Sequence, residues 1–275
     1  MRQITANVFV EDRFRGCNTS LVVTSVGVVV IDTPMVPADA LEWRAEAARH
    51  GQIRYVINTE FHVDHTAGNF WFGAPVIAHE GTRRELLSAG SDSLADALGR
   101  MAPDSLPLDP AYRQRLPEIV FSENLTFYLG EHTFHLMHQP GHTASEVAVY
   151  VPEEEVVFTG DNLMLIRMPI FGKSACHSWL QSLQRLGELP ATWFVPGHGE
   201  VSDRSCLSWM AGEVRYWIDA VQAAIDRGLS LEETLEQVTM VEKVPYPRDP
   251  FQEWAIHNSV TNMYETLKSQ AASRG

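Results

Sequence analysis

The sequence predicts an α/β protein built as a four-layer αββα sandwich, and three observations predict it. The continuously apolar, β-branched run Val28-Val29-Val30-Ile31 has the composition of a strand buried on both faces. A strand, helix, strand order occurs once in each half of the chain, and in each half a strand ends on an aspartate, Asp32 or Asp161. Each half then delivers a histidine-bearing loop, with His62 and His65 in the first and His198 in the second. This degenerate duplication implies two βα-rich halves, which bury their apolar faces by packing sheet on sheet with helices outside.

The elements follow in order. Residues 8–10, 19–23 and 28–31 read as strands, the last two joined by a turn over 24–27. From Pro37 to Arg49 the pattern is helical, with Leu41, Ala45 and Ala48 on one face and Gly51 placed as the stop. Residues 55–58 form the next strand. Residues 81–117 are dense in Ser, Asp and Pro, which predicts an insertion of short helices and loops in place of core strands. Residues 133–137 read as a strand feeding Pro140-Gly141-His142, and 155–161 as a strand ending on Asp161. Residues 178–186 are an amphipathic helix, and 193–195 mirror 55–57. Beyond His198, Leu207, Met210, Val214, Trp217, Val221 and Ile225 recur at helical spacing, and Ser230-Leu231-Glu232-Glu233 opens another helix with a capping box. We read 1–275 as one domain, with the helical insertion at about 81–117 and a C-terminal helical extension at about 202–275.

A formal charge of -14 argues against nucleic acid or an anionic membrane surface as the main partner, because both repel such a surface. A small-molecule substrate is expected instead. The cysteines, Cys17, Cys176 and Cys206, match no disulfide or metal-ligand spacing, and the N-terminus lacks the pattern of a signal peptide, so a cytoplasmic protein is expected. Trp209, Trp217 and Trp254 on the C-terminal helices offer an interface for a homo-oligomer.

The chemistry concentrates in Asn58-Thr59-Glu60-Phe61-His62-Val63-Asp64-His65-Thr66-Ala67-Gly68-Asn69. Four metal-binding side chains fall within six positions directly after a buried-type strand, so the alternating Glu60, His62 and Asp64 converge from an extended loop. Farther on, His142, Asp161 and His198 each follow a predicted strand, and a glycine precedes each one.

These residues resemble the metallo-β-lactamase-fold superfamily, whose pattern is H-x-H-x-D-H followed by a distant His, Asp and His. The resemblance covers most of residues 4 to 200. His62, Asp64, His65, His142, Asp161 and His198 match it position by position, and Glu60 departs from it. It implies two mixed sheets and two divalent metal ions, with zinc the first expectation and iron or manganese credible beside it. Glu60, His62 and His142 would hold one ion, Asp64, His65 and His198 the other, and Asp161 would bridge them. The bridging aspartate resembles the glyoxalase II and lactonase branches more than the true β-lactamases. The implied reaction is hydrolysis of an ester, lactone, thioester or amide bond of a small molecule by a metal-bridging hydroxide, with Asp64 as the catalytic residue that orients it. Two alternatives stay open: a diiron redox enzyme that activates or reduces oxygen, and a non-catalytic metal-binding protein.

Glu60 changes the charge of that implied set. Three carboxylates leave two divalent ions one residual positive charge, where the usual ligands leave two, and this favours harder ions and a less acidic bound water. Alternatives to direct ligation are a place beside the ligands, a one-metal enzyme, or lost catalysis. If the resemblance holds, the apolar stretch from Asn162 to Lys173 lines one substrate wall, with Arg167, Phe171 and Lys173 in contact, and Trp71 stands in another wall. Arg167 and Lys173 suit a substrate that bears a carboxylate.

Overall fold

The computed structural model describes residues 1–275 apart from 90–92, 167, 173–175, 240–249 and 273–275. The first sheet orders its strands as in the chain: β1 (Arg2–Gln3), β2 (Val8–Glu11), β3 (Thr19–Thr24), β4 (Gly27–Ile31), β5 (Ile53–Ile57), β6 (Val76–His79) and β7 (Ile119–Phe121). Pairing is antiparallel from β1 to β4 and parallel from β4 to β7. The second sheet contains β8 (Asn124–Leu129), β9 (His132–His138), β10 (Val147–Val151), β11 (Val156–Phe158) and β12 (Trp193–Val195), in the order β12-β11-β10-β9-β8. It is antiparallel except for the parallel pair β11 and β12, so both sheets are mixed.

Strand β4 shows why the layers form. Val29 and Ile31 point into a core shared with Phe134, Leu136, Val149 and Phe158 of the second sheet. Val28 and Val30 point the other way, onto α1 (Pro37–His50), α3 (Asn69–Phe72) and α5 (Ser93–Met101), through Trp43, Phe72 and Leu94. Alternation along a strand thus buries both faces of an all-apolar run. The far face of the second sheet, through Ala148, Val157 and Phe194, packs on α6 (Cys176–Gly187), α7 (Ser205–Asp226), α8 (Leu231–Thr239) and α9 (Pro250–Ala272). The four layers are therefore αββα. Residues 81–117 contain most of α4 (Glu80–Ala89), all of α5 and a short 3-10 turn.

One expectation is corrected. Helix α1 buries Ala40, Trp43 and Ala47, while Leu41, Ala45 and Ala48 face solvent. An indole removes far more apolar area from water than one leucine with two alanines, so the helix rotates to bury Trp43. The capping box on α8 forms as expected: Ser230 N–H donates to Glu233 Oε2 at 2.7 Å, and Glu233 N–H to Ser230 Oγ at 3.2 Å. Of the C-terminal tryptophans, Trp217 is core, while Trp209 and Trp254 are exposed. Among the described residues no helix is long and apolar enough to cross a membrane.

Candidate metal centre

The loops that leave β4, β5, β11 and β12, together with the loop between β9 and β10, converge on one cluster. After β5, Asn58 Nδ2 and Thr33 Oγ1 both donate to the His65 carbonyl, at 2.8 and 3.1 Å, which anchors the single turn α2 (Val63–Thr66). Asp64 and His65 sit on that turn and His62 just before it. The glycines before His142 and His198 have a steric reason. A side chain at Gly141 would overlap Asn162 Oδ1, and one at Gly197 would overlap Asp161 Oδ1.

The donor atoms form two groups joined in the middle. One ligand atom from each of Glu60, His62 and His142 lies within 4.8 Å of the others, and the same holds for Asp64, His65 and His198. A third group, Glu60, His65 and Asp161, links the two within the same limit. His62 Nδ1 is 2.9 Å from the Glu60 carboxylate and 3.2 Å from His142 Nε2. Asp161 reaches His65 Nε2 and His198 Nε2 at 3.3 Å each, and His142 Nε2 at 3.7 Å. His198 Nε2 is also 3.4 Å from Asp64 Oδ2.

Hydrogen bonds behind the cluster fix which ring nitrogen faces it. His142 Nδ1 lies 2.6 Å from the Ile170 carbonyl, which only accepts, so the proton sits on Nδ1 and Nε2 is bare. His65 Nδ1 likewise lies 3.0 Å from Asp32 Oδ2. Asp32 follows β4 at φ 55, a left-handed conformation that aspartate tolerates better than most residues, and it also accepts from Thr59 N–H and Oγ1–H at 2.8 and 2.6 Å. Cys17 Sγ–H donates to the Asp64 carbonyl at 3.0 Å, and burial pushes this thiol up, so it stays protonated.

Buried charge is balanced locally. Burial alone would raise the Glu60 carboxyl, but His62 and His65 beside it hold it at about 2. The same contest holds Asp161 well below the carboxylate range, with His198 and His65 opposing burial. Burial opposes charge on His62 too, but Glu60, with Asp64 and Asp161 adding to it, raises the imidazole to about 9, whereas burial lowers His142.

The donor set fits cations. Buried polar atoms are nearly always hydrogen-bonded, yet His65 Nε2 and Asp161 Oδ1 are buried without such a partner while lying 3.3 Å apart. Two facing orphans, gathered with the ionised Glu60 and Asp161 carboxylates and the bare Nε2 of His142, suit positive charge between them.

Two residues that support the cluster are missed by sequence reasoning. Asp32 reads there only as the end of a strand. Glu146, fully buried, accepts Asp161 N–H at 2.8 Å, Thr143 N–H at 3.3 Å and Thr143 Oγ1–H at 3.0 Å, tying the His142 loop to the Asp161 loop. Burial, with Glu60 and Asp161 adding to it, pushes its carboxyl well up. A charged residue directly before the all-apolar run Val147–Val151 was the available signal. For Asp32, an Asp32→Asn protein is expected to bind divalent ions about 10–100-fold more weakly, since partners that orient a ligand imidazole typically contribute that much. Competition against a chelator measures it, and unchanged affinity would remove Asp32 from the centre.

The substrate-wall residues fare differently. Arg167 and Lys173 lie outside the described residues. Phe171 is packed in the core on the α6–α9 side, and Trp71 stacks on Tyr112 at 5.5 Å in the core under the first sheet. Both rings are buried, because the layers that hold them need their apolar area. The open side of the cluster is marked by His62, whose side chain is 43% exposed, and Asp64, at 18%.

An αββα sandwich with His and carboxylate donors gathered where its two sheets meet defines the class. The chain belongs to the metallo-beta-lactamase superfamily, whose model matches residues 12–198. It is similar to the beta-lactamase-like protein 2 homolog of Caenorhabditis elegans, 24% identical over 197 residues that cover 69% of this chain and 58% of that protein. It is also similar to the hydroxyacylglutathione hydrolase of Methylococcus capsulatus, 29% identical over 161 residues that cover 58% of this chain and 52% of that enzyme. The chain thus spans little more than half the length of these relatives. A metallo-beta-lactamase family protein from Thermus thermophilus shares the fold, with a TM-score of 0.70 and 19% identity over 97% of this chain and 94% of that one.

Proposed function

We propose that this chain is a metal-dependent hydrolase of a small-molecule ester, lactone, thioester or amide. Glu60, His62 and His142 would hold one divalent ion, Asp64, His65 and His198 a second, and Asp161 would be shared by both. The observation that carries this reading is the division of seven donors into two three-residue groups joined through Asp161. Likeness to a relative named as a hydroxyacylglutathione hydrolase supports the reaction class.

Two such ions, when bound, supply a nucleophilic oxygen near neutral pH and polarise the bond to be cleaved. The chain's own groups do the rest. Asp64, partly open to solvent, would accept a hydrogen bond from the attacking water and so aim it. Ile170 and Asp32 hold His142 and His65 with their Nε2 atoms toward the cluster. Substrate enters past the exposed edge of His62, since the other donors are buried or nearly so.

Metal analysis and a visible spectrum of freshly purified protein, with turnover on a panel of esters, lactones, thioesters and amides, test the reading. Two colourless divalent ions per chain and hydrolysis of at least one class are expected. Two irons with an oxo-to-metal band and no hydrolysis would replace it with diiron redox chemistry. Full metal content without turnover on any substrate would leave a metal-binding protein.

A further inference from the structure

We infer that helix α9, which lies beyond the residues matched to the family, positions His142 through the backbone of Phe171. Ser259 and Asn262 are buried and three residues apart, so they share one face of α9. They take both polar groups of a single residue. Phe171 N–H donates to Ser259 Oγ at 3.0 Å, and Asn262 Nδ2 donates to the Phe171 carbonyl at 2.8 Å. The neighbouring carbonyl, Ile170 O, is the one that accepts from His142 Nδ1 at 2.6 Å, and Gly172 N–H donates to the His142 carbonyl at 3.3 Å. Residues 170–172 are therefore a strap, fastened to α9 on one side and to His142 on the other.

Packing stiffens the strap. The Phe171 ring lies 5.1 Å from that of Trp179, which in turn lies 6.1 Å from the His142 ring. Trp179 Nε1–H is committed to the Asn162 carbonyl at 3.1 Å, so the indole has a fixed orientation. What remains adjustable is the height of the Ile170 carbonyl above His142, and Ser259 and Asn262 set it. They act through the strap and are positioning residues. When their bonds are lost, Ile170 O drifts, the Nδ1 proton loses its acceptor, and the ring is free to turn Nε2 away from Glu60 and His62. The other donor group is held by different partners, with His65 fixed by Asp32 and His198 facing Asp64 and Asp161.

The inference rests on the proposed metal reading for its consequence, but its structural part is separately measurable. The comparison is between a Ser259→Ala/Asn262→Leu double variant and Val260→Ala, which trims a core side chain on the same helix and leaves both bonds to Phe171 in place. Nitrogen-15 spectra of the metal-free proteins report which ring nitrogen of His142 is protonated. The Nδ1–H form is expected in the parent and in Val260→Ala, and a mixture of forms in the double variant. Calorimetric titration with Zn2+ or Mn2+ alone is expected to show two binding steps in the parent. In the double variant one step weakens about 10–100-fold and the other is unchanged. Val260→Ala loses thermal stability and keeps both steps. An unchanged His142 tautomer in the double variant, or the same selective loss in Val260→Ala, overturns the inference. If the parent binds no ion, the metal reading fails, and the tautomer result alone decides whether α9 positions His142.

Discussion

Asp161→Ala is expected to leave no more than one tightly held divalent ion per chain and to lower kcat/KM by about 10²–10³-fold, the scale seen when a group that stabilises developing charge is removed. Among the described donors, Asp161 alone stands within 4 Å of three of the histidines, His65, His198 and His142. Its removal takes one of three carboxylates from a cluster whose cations need that charge, and it separates the two donor groups. The loop itself should survive, because Glu146 holds the backbone N–H of residue 161, not its side chain. Asp161→Asn refines the result: it keeps the shape and removes the charge, so a loss equal to that of Ala assigns the effect to charge. Metal content after exhaustive dialysis, together with steady-state rates on the best substrate of the panel, measures both. Two retained ions with activity within about tenfold of the parent would exclude Asp161 as the shared ligand.

The layers were legible because both sheets are covered on two faces, so a strand such as Val28–Ile31 reads as an uninterrupted apolar run. The donor set was legible for a different reason: Glu60, His62, Asp64 and His65 are neighbours in sequence, and the glycines before His142 and His198 mark places where no side chain fits. The α1 face was misread because periodicity weighs positions equally, whereas burial weighs them by area, and Trp43 outweighs Leu41. Asp32 and Glu146 sat in visible patterns, an aspartate that ends a strand and a charge directly before an apolar run, but a carboxylate at a strand boundary looks the same whether it meets water or a backbone N–H. Ser259 and Asn262 were beyond reach altogether: their contacts to Phe171 span 88 and 91 residues, and a polar pair on a helix has no mark that names its partner.

Glu60 is the position where the chain leaves its family's pattern, and substitutions there have the second largest expected effect. Its carboxylate is fully buried, with His62 Nδ1 at 2.9 Å, His65 Nε2 at 3.5 Å and Phe61 N–H at 2.8 Å. The histidines offset its charge only when protonated, so in the metal-loaded protein, where they are neutral ligands, the balancing charge must come from the ion. Glu60→Ala is expected to lose one of the two ions, since it leaves only His62 and His142 facing each other at 3.2 Å, two neutral donors without an anion. Glu60→His restores the ordinary donor and should keep both ions while changing which ones are held. An imidazole in place of a carboxylate favours zinc over manganese or ferrous iron, and a shift of about tenfold or more in that preference is expected when the metals compete. The change should appear first in the group that contains His62 and His142, leaving Asp64, His65 and His198 loaded. If Glu60→His binds the same metals in the same ratio as the parent, Glu60 is not a ligand, and its carboxylate serves only to hold His62 and the Phe61 N–H in place.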